Sequence, residues 1–359
     1  MGDVMTQEDD KSSGGSDRSE RAKIFRYLLG RLAVYLVTLW ASLSLAFLAF
    51  RLMPGEPMQV LIAQLSRVQG NLGPEEEERI IAYYNHLFGL DRPVTMQYLI
   101  YFRNVVFRGF DLGPSFVAYP VSTRELIFRH IPWTLGIFTT SVIIAWGVGT
   151  GLGVVMAWPS WRRIFSPLVP LGTLLQTTPV YLIALGLIIY VGYKLRWLPA
   201  SGPYASHLLP SWTWEFVSSL LKHAILPMLS MILAWGASFT FAMRSLMTSV
   251  LGEDYIAYAK AKGLPPHILL RDYAFRNALI PQVAGLAIIL GSTLNGAYIV
   301  EVLFNYPGLG SLFVQAMRVR DFNVMQGIVL FSIFAVLTLS LIVDLALPLL
   351  DPRIRRGID

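Results

Sequence analysis

Glu253-Asp-Tyr-Ile-Ala-Tyr-Ala-Lys-Ala-Lys-Gly263, running on through Leu264-Pro-Pro-His-Ile-Leu-Leu-Arg-Asp-Tyr-Ala-Phe-Arg-Asn-Ala-Leu-Ile-Pro281, carries its own helix punctuation between two membrane-length apolar runs. Glu253 and Asp254 sit where a helix N-terminus favours anions, and Lys260 and Lys262 where its C-terminus favours cations. Gly263 is placed to take the left-handed cap, and Pro265 and Pro266 to open a second short helix. Between the caps the small residues Ala257, Ala259, Ala261 and Gly263 recur, which lets another protein's surface approach the backbone. The stretch reads as a docking peg. The alternative is an amphipathic loop lying on the membrane face.

The surrounding composition says what the peg is set in. The chain has 359 residues, 54% hydrophobic and 14% charged, where a soluble domain carries about 25% charge. Mean hydropathy is +0.54, so the main solvent is lipid. The net charge of +6 is scattered between apolar runs, without the basic, aromatic-interleaved patch of a nucleic-acid binder. It faces anionic headgroups and sets topology instead. With no cysteine there are neither disulfides nor thiolate metal sites, and the five histidines share no ligand spacing.

Residues 1–22 are acidic, Ser/Gly-rich and aperiodic, and read as a disordered cytoplasmic tail. Arg21, Lys23, Arg26 and Arg31 then flank the apolar run Leu32 to Phe50, the core of a first span over 23–52 with its N-terminus inside. Polarity returns over 53–131 without a spanning stretch. Pro74 with Glu75 to Glu78 predicts a helix stopped by Gly89, Val94 to Phe107 a second, and the capping box Ser122-Thr-Arg-Glu125 a third that Pro132 ends. Its rings, Tyr83, Tyr84, Phe88, Tyr98, Tyr101 and Phe102, read as core more than as a ligand platform. By topology this small module lies outside.

Residues 132–351 hold five further spans: Leu135 to Ala157, Leu168 to Gly192, Ile225 to Met247, Pro281 to Leu303 and Met325 to Leu349. Each is long enough for a hydrocarbon core of about 30 Å. The Trp161-Arg-Arg163 loop, the loop over 248–281, and Arg353, Arg355 and Arg356 in the tail 352–359 are basic, which puts them and both termini inside. Trp197, Tyr204, Trp212 and Trp214 in the outer loop read as an interfacial belt or a substrate platform.

No Gly-x-x-x-x-Gly-Lys-Ser/Thr loop, His-Glu-x-x-His or Gly-x-Ser-x-Gly occurs. The chain is not expected to be an enzyme, and it has no cofactor of its own. Polar residues inside spans are costly and face a bundle interior or cavity water. Gln176, Thr177 and Thr178 beside Pro179, and Ser292, Thr293 and Asn295 between Gly291 and Gly296, are candidates either to line a substrate path or to glue helices. Glu301, before Pro307, Gly308 and Gly310, is either an external gate or a cap that solvates the mouth. Asp344 is expected to pair with a basic residue such as Arg353, the alternative being a place in a proton path.

The peg resembles the cytoplasmic loop of binding-protein-dependent ABC importer permeases, whose pattern is Glu-Ala-Ala, three residues, Gly, nine residues, Ile-x-Leu-Pro. Aligned on Gly263, Ala257 and Tyr258 replace the Glu and first Ala, Ala259 agrees, and Pro281 comes five residues late. The peptide-transporter branch is similar in both departures. Leu52-Met-Pro-Gly-Glu-Pro57, Gly89-Leu-Asp-Arg-Pro93, Leu198-Pro-Ala-Ser-Gly202, Gly252-Glu-Asp-Tyr255, Asn305-Tyr-Pro-Gly-Leu-Gly310 and Leu350-Asp-Pro-Arg-Ile-Arg355 resemble the B-type permease subunit of dipeptide and oligopeptide importers. Only the acidic tail and the aromatic insertion around Ser206 to Phe216 stand outside that pattern.

The resemblance implies an all-α, six-span importer permease in a bacterial cytoplasmic membrane. It further implies a homologous second permease, two ABC ATPase subunits holding ATP and Mg, an extracytoplasmic binding protein, and no nucleic acid. Glu253, Asp254, Tyr255, Ala259, Lys260, Ala261, Lys262, Gly263, Leu264 and Arg271 would form the ATPase-coupling surface. Peptides lead as substrate, with oligosaccharides and nickel chelates as alternatives on the same machinery. An ion-coupled secondary transporter is the alternative of another class, and it would want inverted repeats and broken helices around intramembrane charges.

Overall fold

The computed structural model describes residues 9–53, 73–87, 91–291 and 298–350, and the chain there is helical apart from short connections. The order is α1 (Asp9–Arg51), α2 (Pro74–Leu87), α3 (Val94–Phe107), α4 (Thr123–Ala157), α5 (Pro159–Phe165), α6 (Leu168–Thr177), α7 (Val180–Leu187), α8 (Trp214–Leu251), α9 (Asp254–Ala261), α10 (Pro266–Ile268), α11 (Arg276–Gly291), α12 (Tyr298–Leu303), α13 (Leu309–Arg318) and α14 (Phe322–Leu350). Two π-helical stretches, Ile188–Lys194 and Leu269–Phe275, continue α7 and join α10 to α11. Among the described residues five helices are long and apolar enough to cross a membrane, or six if α6 and α7 together form one span.

Several boundaries differ from the sequence expectation, each for a physical reason. Helix α1 begins at Asp9, inside the stretch read as a tail. Once an apolar run is helical, each further residue adds a hydrogen bond without a new nucleation cost. Pro132 does not end the helix that Ser122 opens, and α4 runs through it to Ala157. A membrane helix tolerates an internal proline because neighbouring helices re-satisfy the freed backbone. The expected continuous span Leu168 to Gly192 is bent by 108° between α6 and α7. Thr178 (φ −80, ψ 125) precedes Pro179, whose ring drives the preceding residue out of the helical region. The helix opened by Pro266 is not short: it continues through the π stretch as an apolar run from Pro266 to Leu290, upstream of the expected Pro281 to Leu303.

The bundle is built on α4 and α8, which lie at backbone contact. A Cβ on Gly149 would stand 2.6 Å from the Gly236 carbonyl oxygen, and one on Gly153 2.6 Å from both the Thr240 carbonyl oxygen and Met243 Cβ. Only glycine permits this approach, the small-xxx-small arrangement through which helices pack when lipid supplies no hydrophobic drive. Two ends follow. The upper end holds the start of α4, helices α2 and α3 and residues 108–122. There the Phe47 ring of α1 meets Tyr98 edge-on and Tyr101 at a tilt, with centroids 5.4 and 5.2 Å apart. Those two rings and Phe102 are thus core, as expected, whereas Tyr83 is exposed. At the lower end Ala157, Met243, Met247, Ile256, Ala274 and Ala278 form a buried cluster.

Asp321 ties the upper segment to the bundle. Fully buried, its carboxylate accepts from Ser115 Oγ (2.7 Å), from the backbone amides of Phe116 (2.5 Å) and Val117 (3.0 Å), and from the Val324 amide (3.1 Å). Asn323 adds a bond to the Pro114 carbonyl at 3.3 Å.

Gly153→Val should part α4 from α8 and lower the detergent melting temperature of the purified chain, overpacking of this kind costing about 1–3 kcal/mol. Gly151, exposed on the same helix with nothing near its Cβ position, is the control, and Gly151→Val should melt as wild type. Equal melting of the two variants would refute the glycine contact.

Candidate coupling helix and translocation path

Helix α9 has two faces. Ile256 is fully buried and Ala259 nearly so, and Ile256 packs into the cluster of Met243, Met247, Ala274 and Ala278. Asp254, Tyr255, Ala257, Tyr258, Lys260, Ala261 and Lys262 are exposed, with Tyr258 72% accessible. Ala259 therefore leaves the expected ridge of small residues and faces its own chain. Ile256, which the sequence reading passed over, is the anchor; its signal is the three-residue spacing to Ala259.

Both ends of α9 are finished as its sequence requires. Glu253 takes the N-cap position with extended backbone (φ −74, ψ 147) but lends no side-chain bond, so its role there is its charge. At the other end Gly263 adopts φ +77. Its amide donates to the Lys260 carbonyl (2.9 Å) and the Leu264 amide to the Ala259 carbonyl (3.3 Å), the paired bonds of a Schellman cap. A Cβ on Gly263 would meet nothing within 4 Å, so backbone conformation alone demands glycine there. Lys262 Nζ lies 5.8 Å from the Tyr258 ring centroid. Asn277 Nδ2 donates to the Tyr255 hydroxyl at 3.2 Å. Arg271 grips Asp272 with two bonds of 2.7 and 3.0 Å, and both are exposed.

Of the polar groups expected along the path, Gln176 and Thr177 are exposed at the bend between α6 and α7, and Thr178 is half-buried. Thr177 donates to the Thr173 carbonyl (2.9 Å) and Thr178 to the Leu174 carbonyl (2.7 Å), so both hydroxyls are spent on their own helix. Ser292, Thr293 and Asn295, the Asp344 side chain and Arg353 lie outside the described residues. The sequence reading also passed over Gln282. Buried at 3% exposure, it donates to Thr150 Oγ1 (3.2 Å) and the Phe239 carbonyl (3.1 Å), while its own carbonyl accepts from Trp146 Nε1 (3.2 Å). One residue thereby fastens α11 to both α4 and α8.

At the upper end Glu301 is 2% exposed and caps α13. Its Oε2 accepts from the Gly310 amide at 2.6 Å, and Thr134 Oγ1 accepts from the Leu309 amide at 2.8 Å. The carboxylate packs against the α-carbon of Gly308, leaving no room for a side chain. Glu301 thus caps the turn but does not solvate it. An aromatic series, Phe216 to Tyr204 (5.0 Å), Tyr204 to Trp133 (6.4 Å) and Trp133 to Tyr306 (5.5 Å), joins the 195–213 connection to this turn. Trp197, Trp212 and Trp214 point away from it, at 74%, 100% and 80% exposure.

Comparison with known proteins agrees with this arrangement. Residues 149–356 match the family model described as the binding-protein-dependent transport system inner membrane component. The chain is 30% identical over 330 residues to the dipeptide transport system permease protein DppB of Bacillus subtilis (strain 168), covering 92% of this chain and 98% of that one. It is 31% identical over 336 residues to the glutathione transport system permease protein GsiC of Salmonella typhimurium, covering 92% and 99%. The probable peptide ABC transporter permease protein y4tP of Sinorhizobium fredii is 29% identical over 330 residues, with 92% and 99% covered. A buried-and-exposed helix between two apolar rods, in a chain that aligns almost end to end with such permeases, places this protein in the family of inner-membrane components of binding-protein-dependent transport systems.

Proposed function

We propose that this chain is one of two homologous permease subunits of an ATP-driven importer of dipeptides and oligopeptides, working with two ABC ATPase subunits and an extracytoplasmic binding protein. The observation that supports it best is α9: its inner face is locked into the bundle by Ile256, and its outer face offers Tyr258, Ala261 and Lys262 to a partner. ATP and Mg belong to the ATPases in this scheme. The three permeases compared above are named for dipeptide, glutathione and peptide transport, and this favours a peptide substrate.

The coupling step is mechanical. An ATPase pushing on α9 moves Ile256, which bears on Met243 and Met247 of α8 and on Ala274 and Ala278 of the Pro266–Leu290 run. Two membrane rods receive the displacement together. The partner need only bias an existing inward–outward equilibrium, a matter of a few kcal/mol. The capped turn of Glu301, Pro307 and Gly308 would close the outer mouth. Gln176 at the bend of the third span, with Ser292 and Asn295, would offer hydrogen bonds to the passing peptide.

Gly263→Val tests the docking helix. A β-branched residue at φ +77 opposes the cap, at a cost of about 1–2 kcal/mol, and should loosen the last turn of α9, reducing both ATPase association and uptake. Gly263→Asn, which tolerates the left-handed region, should retain most of both. Full association and uptake with valine would end the docking assignment.

Orientation is tested with single cysteines, since the chain has none of its own. On the proposed topology Glu78→Cys is labelled by an impermeant maleimide on intact cells and Lys260→Cys only after permeabilisation. The reverse pattern would invert the molecule.

For the path, Gln176, Ser292 and Asn295 are changed to alanine together, and detergent melting of the assembled complex is read beside uptake in proteoliposomes. A path role predicts altered rate or peptide preference at unchanged melting temperature. Helix glue, at about 0.6 kcal/mol per interhelical bond, predicts lowered melting with unchanged uptake, which would remove these residues from the path.

A further inference from the structure

A cavity of about 330 Å³ lies at the upper end, between the last turn of α1, helix α3 and the first turns of α14. None of the coupling or path residues lines it. Two guanidinium groups do, Arg51 at the end of α1 and Arg92 just before α3. Neither has an ion-pair partner among the described residues. Deeper in, Gln326 is 8% exposed and its Nε2 has no hydrogen-bond partner. The neighbouring Tyr101 hydroxyl donates to the Leu43 carbonyl at 3.3 Å and is the polar group of the chain that interacts with the Gln326 side chain, short of a formed hydrogen bond.

Two acceptors at the rim of the cavity are already engaged. Asp111 Oδ1 takes the Gly113 amide at 3.1 Å, and His86 Nδ1 is bonded to Asp91 Oδ2 at 3.1 Å. That bond holds the exposed Asp91 carboxyl below the usual carboxylate range, so it stays ionised and committed to its partner. The open donors are two arginines, which outnumber the one lining carboxylate, Asp111, and a buried amide N–H. A buried donor without a partner carries a desolvation penalty that a ligand acceptor would relieve. Phe47 and Phe50 add an apolar wall on the side where α1 leaves its apolar run.

We propose that this cavity is an oxyanion site, taking a phosphate or carboxylate on Arg51 and Arg92 with the Gln326 amide as the buried donor. Arginine matches the planar geometry of such groups. The apolar wall suits an anionic phospholipid, the start of whose acyl chains would lie against Phe47 and Phe50; a free organic phosphate shares the oxyanion chemistry. That the site faces the outer leaflet rests on the orientation proposed above, but ligand binding does not.

The assembled complex in phosphatidylcholine nanodiscs tests this, with phosphatidylglycerol titrated into the bilayer in one arm and glycerol 3-phosphate into solution in the other. Melting temperature and native mass spectrometry are the readouts. Wild type should rise in melting temperature and retain bound ligand in at least one arm, the arm identifying the source. Arg51→Gln with Arg92→Gln should weaken that binding by more than about tenfold. Gln326→Leu should weaken it too, without lowering melting in the ligand-free complex, because it removes an unsatisfied donor. Arg103→Gln, an exposed arginine outside the cavity, should bind as wild type. Equal binding by wild type and the double arginine variant, or no binding in either arm, overturns the site whatever the labelling pattern of the cysteines. An inverted labelling pattern with binding intact overturns only the orientation.

Discussion

Helices α4 and α8 meet at their backbones, at Gly149 and Gly153 against Gly236, Phe239, Thr240 and Met243. In water such a pair would be held by the exclusion of solvent from apolar side chains. In lipid that term vanishes, and stability comes from close packing and polar contacts between helices. The glycines supply the first and Gln282 the second, with bonds that reach Thr150 on α4 and Phe239 on α8 from α11. Three rods are thereby fixed to one another near the middle of the bundle. Each end of the molecule is then an attachment to this block: Ile256 on Met243 and Met247 below, and the 304–310 turn on Trp133 and Thr134 above.

The polar groups sort by what they cost. Gln282 and Asp321 are buried and spend their amide and carboxylate on partners from other segments, and buried Glu301 spends Oε2 on the Gly310 amide while Oε1 has no partner. An unpaired polar atom at such depth costs several kcal/mol, so these residues belong to the architecture. Glu301 and Thr134 together satisfy the first amides of α13, the task a local Ser or Asp cap performs in a soluble helix. Gln176 differs, being exposed at a bend where Thr178 has left the helical region. Its side chain is available to whatever occupies that face.

Where punctuation is local, the sequence was a sufficient guide. Ser122 does cap α4 through the Glu125 amide (3.2 Å), α3 spans Val94 to Phe107, and Gly263 takes the left-handed position. Each depends on a few neighbouring residues whose backbone preferences are strong. The bend at Thr178 and the passage of α4 through Pro132 both turn on proline, with opposite outcomes, because a proline in lipid breaks a helix or not according to the helices beside it. Hydropathy windows average over such events and saw one straight span. The buried role of Gln282 was illegible for a related reason: which face of a helix turns inward is decided by a partner helix, and amphipathic contrast fades when both sides of a span are apolar.

The same wiring limits how the molecule can move. On the proposed coupling, a push on α9 would reach α8 through Met243 and Met247 and the Pro266–Leu290 rod through Ala274 and Ala278, and those rods are tied to each other and to α4 by Gln282 and the glycine contact. Close-packed contacts of this kind do not deform continuously; they hold or they separate. Displacement of α9 therefore carries α4, α8 and α11 as one body. Relative motion falls to the joints outside that body: the 108° bend at Thr178–Pro179 and the π stretch at Ile188–Lys194. Gly172, in α6 before that bend, packs on the Phe241 ring of α8, where a Cβ would stand 3.0 Å away. An aromatic side chain can swing where a backbone contact cannot. The third span is thus the element best placed to change its angle while the rest of the bundle keeps its packing, and Gln176 rides on it.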